Sequence, residues 1–252
     1  MEIKNLAVHF HMEDGTVNAL NGIDLELYNG ETLGLVGETG AGKTTLAKSI
    51  MQLIPVPPGK IESGSILLQG EDMLQMHIDQ IRAIRGKQIS MIFQEPMTSL
   101  NPVFTVGYQL CEPLRFHLHM TKAEAEKRAV ELLRMVGLSS PEKRVLQYPH
   151  QLSGGMRQRV MIAMAMVCKP KLLIADEPTT ALDVTIEAQI LRLMKELRDE
   201  TGMSVLIITH NMGVVAEICD YVYVMYAGKI MEQAETFELF DHTMHPYTKG
   251  LL

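Results

Sequence analysis

Apolar and polar positions alternate through Ile3–Phe10 and again through Ile23–Leu27, with the turn signal Glu13-Asp14-Gly15 between them. This predicts a strand-rich start to the chain. Thr32–Val36 is a short, nearly continuous apolar run, the pattern of a buried strand. The period then changes. Lys43–Leu53 predicts a helix halted at Pro55, and Ser65–Gln69 and Gln88–Phe93 predict further strands. From Glu95 to about Lys169 the pattern becomes helical. Thr121-Lys-Ala-Glu124 is a capping box that opens a helix ending near Gly137, and a second helix is expected from just after Ser153 to about Cys168. Beyond this inserted helical lobe come the strand Leu172–Ala175, a helix from about Thr185 to Glu200 and the strand Val205–Thr209. The helix Met212–Cys219 and a strand near Tyr221–Met225 complete the series. Strands alternating with helices imply an α/β fold with a mostly parallel sheet covered on both faces.

A chain of 252 residues, 46% hydrophobic and 21% charged, suits one substantial globular core or a core with an attached lobe. The formal net charge of −7 gives no support to a general nucleic-acid binder. The three cysteines, Cys111, Cys168 and Cys219, are widely separated and stand at no metal-ligand spacing, so reduced thiols are expected. Met1-Glu2-Ile3-Lys4-Asn5 opens straight into a strand-like run, and no signal peptide is expected. The longest apolar run, Val160–Cys168, has roughly half the ~20 residues that a membrane span needs. The chain itself is therefore not expected to cross a membrane.

Gly37-Glu-Thr-Gly-Ala-Gly42-Lys43-Thr44 fits G-x-x-x-x-G-K-[ST], between a buried strand and a helix as that pattern requires. Phosphates need many donors at close range. Gly37, Gly40 and Gly42 let the backbone wrap tightly so that successive N–H groups point inward, and the helix N-terminus adds its positive end. Glu38, Thr39, Ala41 and Thr45 complete the expected phosphate-binding stretch. Lys43 supplies a full charge to the β- and γ-phosphates, and the Thr44 hydroxyl suits Mg²⁺. The loop alone does not separate kinases, GTPases, helicases and transporters.

Leu172-Leu-Ile-Ala-Asp176-Glu177-Pro178 is an apolar strand ending in two carboxylates at the end where such sheets bind ligands. Successive strand side chains point apart. Asp176 is thus expected to hold Mg²⁺, directly or through water, and Glu177 to orient and deprotonate the attacking water. His210 follows the strand Val205–Thr209. A histidine after a strand is weak evidence alone, but beside a phosphate loop it suits a hydrogen bond to the γ-phosphate or the attacking water.

Leu152-Ser153-Gly154-Gly155-Met156-Arg157-Gln158-Arg159 resembles the signature motif of the ABC ATPases, at the family's usual separation upstream of Asp176. P-loop kinases, GTPases and helicases lack it. The resemblance implies a P-loop NTPase (RecA-like) core with a mostly parallel sheet, an N-terminal antiparallel β subdomain and an inserted α-helical subdomain at about residues 95–169. All of these belong to one ABC ATPase domain over residues 1–252. It also implies a head-to-tail dimer in which Ser153, Gly154 and Gly155 of one subunit close on the ATP held by the other. Ser153 and the glycines heading a helix are suited to an anion. Gln94 resembles the Q-loop glutamine, contacting Mg²⁺ and the attacking water. Ala181-Leu182-Asp183 resembles the D-loop that crosses the dimer interface. Phe10 falls where the family keeps an adenine-stacking aromatic, and a core-edge role in its strand is an equal reading.

Gln94-Glu-Pro-Met-Thr-Ser-Leu-Asn-Pro102, Ala175–Thr185 and His245-Pro-Tyr-Thr-Lys-Gly-Leu-Leu252 resemble the ATPase subunits of bacterial dipeptide, oligopeptide and nickel importers. The implied cofactors are ATP and Mg²⁺. The implied partners are two transmembrane permease subunits, a second ATPase subunit identical or homologous to this one and, indirectly, an extracellular solute-binding protein, with no nucleic acid. The implied location is the cytoplasmic face of the cell membrane, with the exposed 95–102 loop passing motion to the permease. Thr44 stands where serine is commoner, and the hydroxyl is kept. The family usually continues past the His-Pro-Tyr-Thr segment into a tail with clustered cysteines. Residues 1–252 hold no such cluster, and no iron–sulfur centre can be predicted from them. Two other readings are a soluble ABC ATPase acting on nucleic acid or ribosomes and a catalytically dead regulatory module. The first usually brings paired cassettes, long coiled coils or zinc modules, none of which appears. Lys43, Asp176, Glu177 and His210 speak against the second.

Overall fold

The computed structural model describes residues 1–94, 99–179 and 182–252. Along the chain run β1 (Glu2–Met12), β2 (Gly15–Glu26), β3 (Thr32–Val36), α1 (Lys43–Ile50), β4 (Gly59–Leu68), β5 (Glu71–Asp72), α2 (Ile78–Ile84) and β6 (Ile89–Ile92). The helices α3 (Val106–Leu118), α4 (Lys122–Met135), α5 (Pro141–Arg144) and α6 (Gly154–Met166) follow, then β7 (Leu172–Asp176), α7 (Val184–Thr201), β8 (Ser204–Thr209) and α8 (Met212–Ile218). The last elements are β9 (Tyr221–Tyr226), β10 (Lys229–Glu235), α9 (Thr236–Asp241) and α10 (Pro246–Leu251). Two compact units form: Met1–Arg82 with Ser204–Leu252, and Ala83–Met203.

The first unit holds an antiparallel sheet in the order β2-β1-β4-β5 and the strands β10-β9-β3-β8. β3 is buried at all five positions, as its apolar run predicts, and lies parallel to β8 on one side and β9 on the other. β1 departs from the simple alternation. Ile3, Leu6 and Val8 are its fully buried positions, and a register shift falls between Ile3 and Leu6, where Asn5 takes φ 46. This bulge lets both apolar sets reach one side. α1 stops at Ile50, short of the expected Leu53, because Gln52 turns left-handed (φ 50). Its N–H bonds the Ser49 carbonyl at 2.9 Å while Leu53 N–H bonds that of Lys48 at 2.7 Å, a Schellman ending that needs no proline.

In the second unit β6 and β7 pair in parallel. α4 opens on the expected capping box, with Thr121 as N-cap and Glu124 returning to it. α6 is buried almost all round, at Val160, Met161, Ile162, Ala163, Ala165 and Met166. The longest apolar run of the sequence is therefore a core helix. Among the described residues no helix is long and apolar enough to cross a membrane. α3 was not legible in the sequence, because Pro113 sits inside it. The three cysteines are free thiols, and burial pushes Cys111 and Cys168 above the usual thiol range.

Candidate nucleotide site

In the first unit β3 ends at Val36, whose register partners are Thr209 of β8 and Val224 of β9. The phosphate loop thus leaves the sheet at a row of parallel strand ends, and His210, exposed, emerges one residue beyond Thr209. Gly37 (φ 148) lies so close to β9 that a Cβ would stand 2.1 Å from the Met225 carbonyl oxygen. At Gly42 (φ 108) a Cβ would stand 2.6 Å from the Ala19 carbonyl oxygen. Only glycine fits either place. Gly40 is also left-handed (φ 86), yet a Cβ there would meet nothing within 4 Å.

Lys43 is 6% exposed. It donates to the carbonyl oxygens of Gly37 at 2.6 Å and Glu38 at 2.9 Å. The cation is therefore aimed across the loop by the loop's own backbone. Ala41 N–H bonds the Glu38 carbonyl (3.1 Å) and Gly228 N–H bonds the Ala41 carbonyl (2.9 Å), which ties the loop to the β9–β10 turn. α1 begins at Lys43 with no side chain capping its first turn, so its opening N–H groups suit an anion. Thr44 and Thr45 are half-buried in that turn, while Glu38, Thr39 and Gly40 are exposed. Phe10 is half-buried in β1 opposite Val17 and Gly59.

In the second unit the pairing of Ile92 with Ala175 brings two strand ends side by side. Gln94 lies two residues beyond Ile92 and Glu177 two beyond Ala175. The Gln94 Nε2 amide donates to Glu177 Oε2 at 2.8 Å. Asp176 is 2% exposed. Glu177 takes φ 48, an unusual conformation for a non-glycine residue and one that concentrates at functional sites. The next carbonyl, that of Pro178, accepts a hydrogen bond from the buried Gln158 amide of α6.

Ser153 is the N-cap of α6 and accepts from Met156 N–H at 3.4 Å. The two signature glycines differ. A Cβ at Gly155 would lie 3.0 Å from Ile186 Cγ2, so this residue admits α7 close to α6. A Cβ at Gly154 would meet nothing within 4 Å. Arg159 donates to the Val136 carbonyl (2.7 Å) and to Gln189 (2.8 Å), fixing α6 against its neighbours. Asp183 caps α7, accepting from Ile186 N–H at 3.0 Å. Residues 95–98 of the expected coupling loop, Thr180, and Ala181 of the expected D-loop lie outside the described residues.

One residue absent from the sequence-based site touches the phosphate loop. Tyr247 of α10 accepts a hydrogen bond from Glu38 N–H at 3.0 Å through its hydroxyl. Its only signal in the sequence is its place in His245-Pro-Tyr-Thr.

The model of a family described as ABC transporter matches residues 20–180. All of the chain aligns, at 54% identity, with 70% of the oligopeptide transport ATP-binding protein OppD of Bacillus subtilis. At 52% identity it aligns with 75% of the dipeptide transport ATP-binding protein DppD of the same organism. A solved dimeric structure, of the ATP-binding cassette MJ0796 in a post-hydrolysis state bound to ADP and Pi, superposes with a TM-score of 0.83 at 29% identity, over 93% of this chain and 98% of that one. The cbiO1 cassette of Clostridium perfringens, part of the transporter complex cbiONQ, superposes with a TM-score of 0.77 at 30% identity, over 95% and 91%. On the match of the family model and on these relatives, which align with the whole of it, the chain belongs to the ABC transporter family and is an ATP-binding, ATP-hydrolysing cassette.

Proposed function

We propose that this ATPase drives a peptide importer, sitting on the cytoplasmic face of the membrane against two permease subunits and pairing head-to-tail with a second cassette. The observation that carries this reading is the alignment of the whole chain, at more than half identity, with oligopeptide and dipeptide transport ATP-binding proteins. The nickel importers of the same branch remain the second substrate class, and the relatives aligned above favour peptides.

The residues take these roles. Gly37, Glu38, Thr39, Gly40, Ala41, Gly42, Lys43, Thr44 and Thr45 bind the phosphates, with Lys43 already aimed by two carbonyls. Phe10 stacks on the adenine. Ser153, Gly154 and Gly155 of one subunit meet the γ-phosphate held by the other. That role accounts for Gly154, which its own chain does not require to be glycine. The Thr44 hydroxyl, the Gln94 amide oxygen and the Asp176 carboxylate are hard oxygen donors with a single negative charge. With two phosphate oxygens such a set fits Mg²⁺. When bound, that ion neutralises charge on the phosphates. Glu177 takes the proton of the water that attacks the γ-phosphorus as the bond to the β–γ bridging oxygen breaks. His210 holds the γ-phosphate or that water, and Asp183 lies at the dimer contact. Loss of the γ-phosphate opens the dimer, and the helical lobe of residues 95–169 passes the motion on.

The test is a pull-down of the tagged protein from detergent-solubilised native membranes, read by mass spectrometry. Two permeases, with or without a second cassette, are expected. Recovery of only ribosomal or DNA-binding proteins would leave the ATPase standing and remove the importer.

A further inference from the structure

Glu38 is an exposed residue of the phosphate loop, yet its backbone is held from both sides. Its carbonyl accepts from Lys43 Nζ (2.9 Å) and Ala41 N–H (3.1 Å), and its N–H donates to the Tyr247 hydroxyl (3.0 Å). An exposed loop N–H could bond to water at no cost, so a phenol brought from 209 residues away needs a reason.

The segment that carries Tyr247 is itself anchored. Glu232 of β10 accepts from the N–H groups of Met244 (2.7 Å) and His245 (3.1 Å) with its two carboxylate oxygens. His245 Nδ1 then accepts from Tyr247 N–H at 3.1 Å and caps the turn of α10. The ring of Tyr226, at the end of β9, packs on that of Tyr247 with centroids 4.7 Å apart. Aromatic contact of this kind fixes the ring plane and with it the direction of the hydroxyl. Burial holds the phenol above its usual range, so it stays a neutral hydroxyl.

We propose that Tyr247 is a positioning residue of the nucleotide site. Its hydroxyl pins Glu38 N–H and so keeps the Gly37 and Glu38 carbonyls where they aim Lys43. The strut runs from β10 through Glu232 and α10 to the loop, and it organises the loop before nucleotide arrives. A loop ordered in advance gives up less freedom on binding. The hydroxyl touches no reacting atom, so the gain lies in nucleotide affinity and not in the chemical step.

The experiment compares the full chain with Y247F, which removes the oxygen and keeps the ring. ADP affinity is measured by calorimetry, and steady-state ATPase kinetics and the melting temperature are measured alongside. Loss of one such hydrogen bond is expected to raise Kd for ADP about three- to ten-fold. KM for ATP should rise by a similar factor, with kcat and melting temperature unchanged. Backbone hydrogen exchange at residues 37–45 should speed up in the nucleotide-free protein. An unchanged Kd for ADP, or a weaker Kd accompanied by an equal fall in kcat and a lower melting temperature, overturns the proposal. If the unaltered chain takes up no ADP, the phosphate-loop reading on which the proposal rests falls first.

Discussion

The Gln94 amide donates a 2.8 Å hydrogen bond to the carboxylate of Glu177. Two of the residues assigned to the attacking water are thus neighbours through their side chains. A neutral amide orients the carboxylate without neutralising it, so its capacity to take a proton is kept. Glu177→Gln keeps the shape and removes the base. Its hydrolysis in a single turnover should fall by about 100-fold or more, while ATP remains bound in filter-retention assays. Hydrolysis at the rate of the unaltered chain would remove Glu177 from that role. Gln94→Ala should lower kcat by about ten-fold with the weaker effect on ATP affinity, because it loosens the base without deleting it.

Within the phosphate loop, stability and function should separate by position. Ala at Gly42 must hold φ 108 with its Cβ 2.6 Å from the Ala19 carbonyl oxygen. The backbone has to shift, and we expect a loss of about 2 kcal/mol or more, seen as a lower melting temperature without nucleotide. Ala at Gly40 meets nothing within 4 Å and bears only the left-handed backbone cost of about 1 kcal/mol. A thermal scan in which the two variants melt together would contradict this geometry.

The signature glycines offer a sharper division. Gly154 opens α6 with free space where a Cβ would go. Alanine is the better helix former, by roughly 1 kcal/mol in a helix interior and less at the first position. Gly154→Ala should therefore melt at or slightly above the temperature of the unaltered protein and still lose ATPase activity by about ten-fold. Light scattering with ATP should show weaker dimerisation. If activity and dimerisation survive, the anion-binding role of that helix start is wrong.

How far the sequence led depends on whether the structural cause was local. β3, β7 and β8 are continuous apolar runs and are buried at every position, so their place in a parallel sheet was readable. The phosphate loop and the capping box of α4 were readable because each needs particular residues at fixed offsets. α3 was hidden by Pro113, whose missing N–H ordinarily argues against a helix interior. The end of α1 was misplaced because Gln52, a residue with no strong turn signal, adopts the left-handed conformation. The bulge at Asn5 depends on cross-strand register, which the alternation in β1 does not encode. At the site, the residue types of Gln94 and Glu177 were legible, and their hydrogen bond was not, since it follows from the pairing of Ile92 with Ala175. Tyr247 was invisible for the same reason at still greater sequence distance.

Asp183 carries two candidate roles that substitution can separate. The resemblance places it in the loop crossing the dimer interface. In the folded chain its carboxylate caps α7 through Ile186 N–H at 3.0 Å. Asp183→Ala removes both roles and should cost about 1 kcal/mol of stability, as loss of an N-cap does. Asp183→Asn keeps a good cap and removes the charge, so chemical denaturation should find it close to the unaltered protein. If Asn restores stability but not ATP hydrolysis, the charge acts at the dimer contact. If Asn restores both, capping is the whole contribution of Asp183, and the interface role passes to its neighbours.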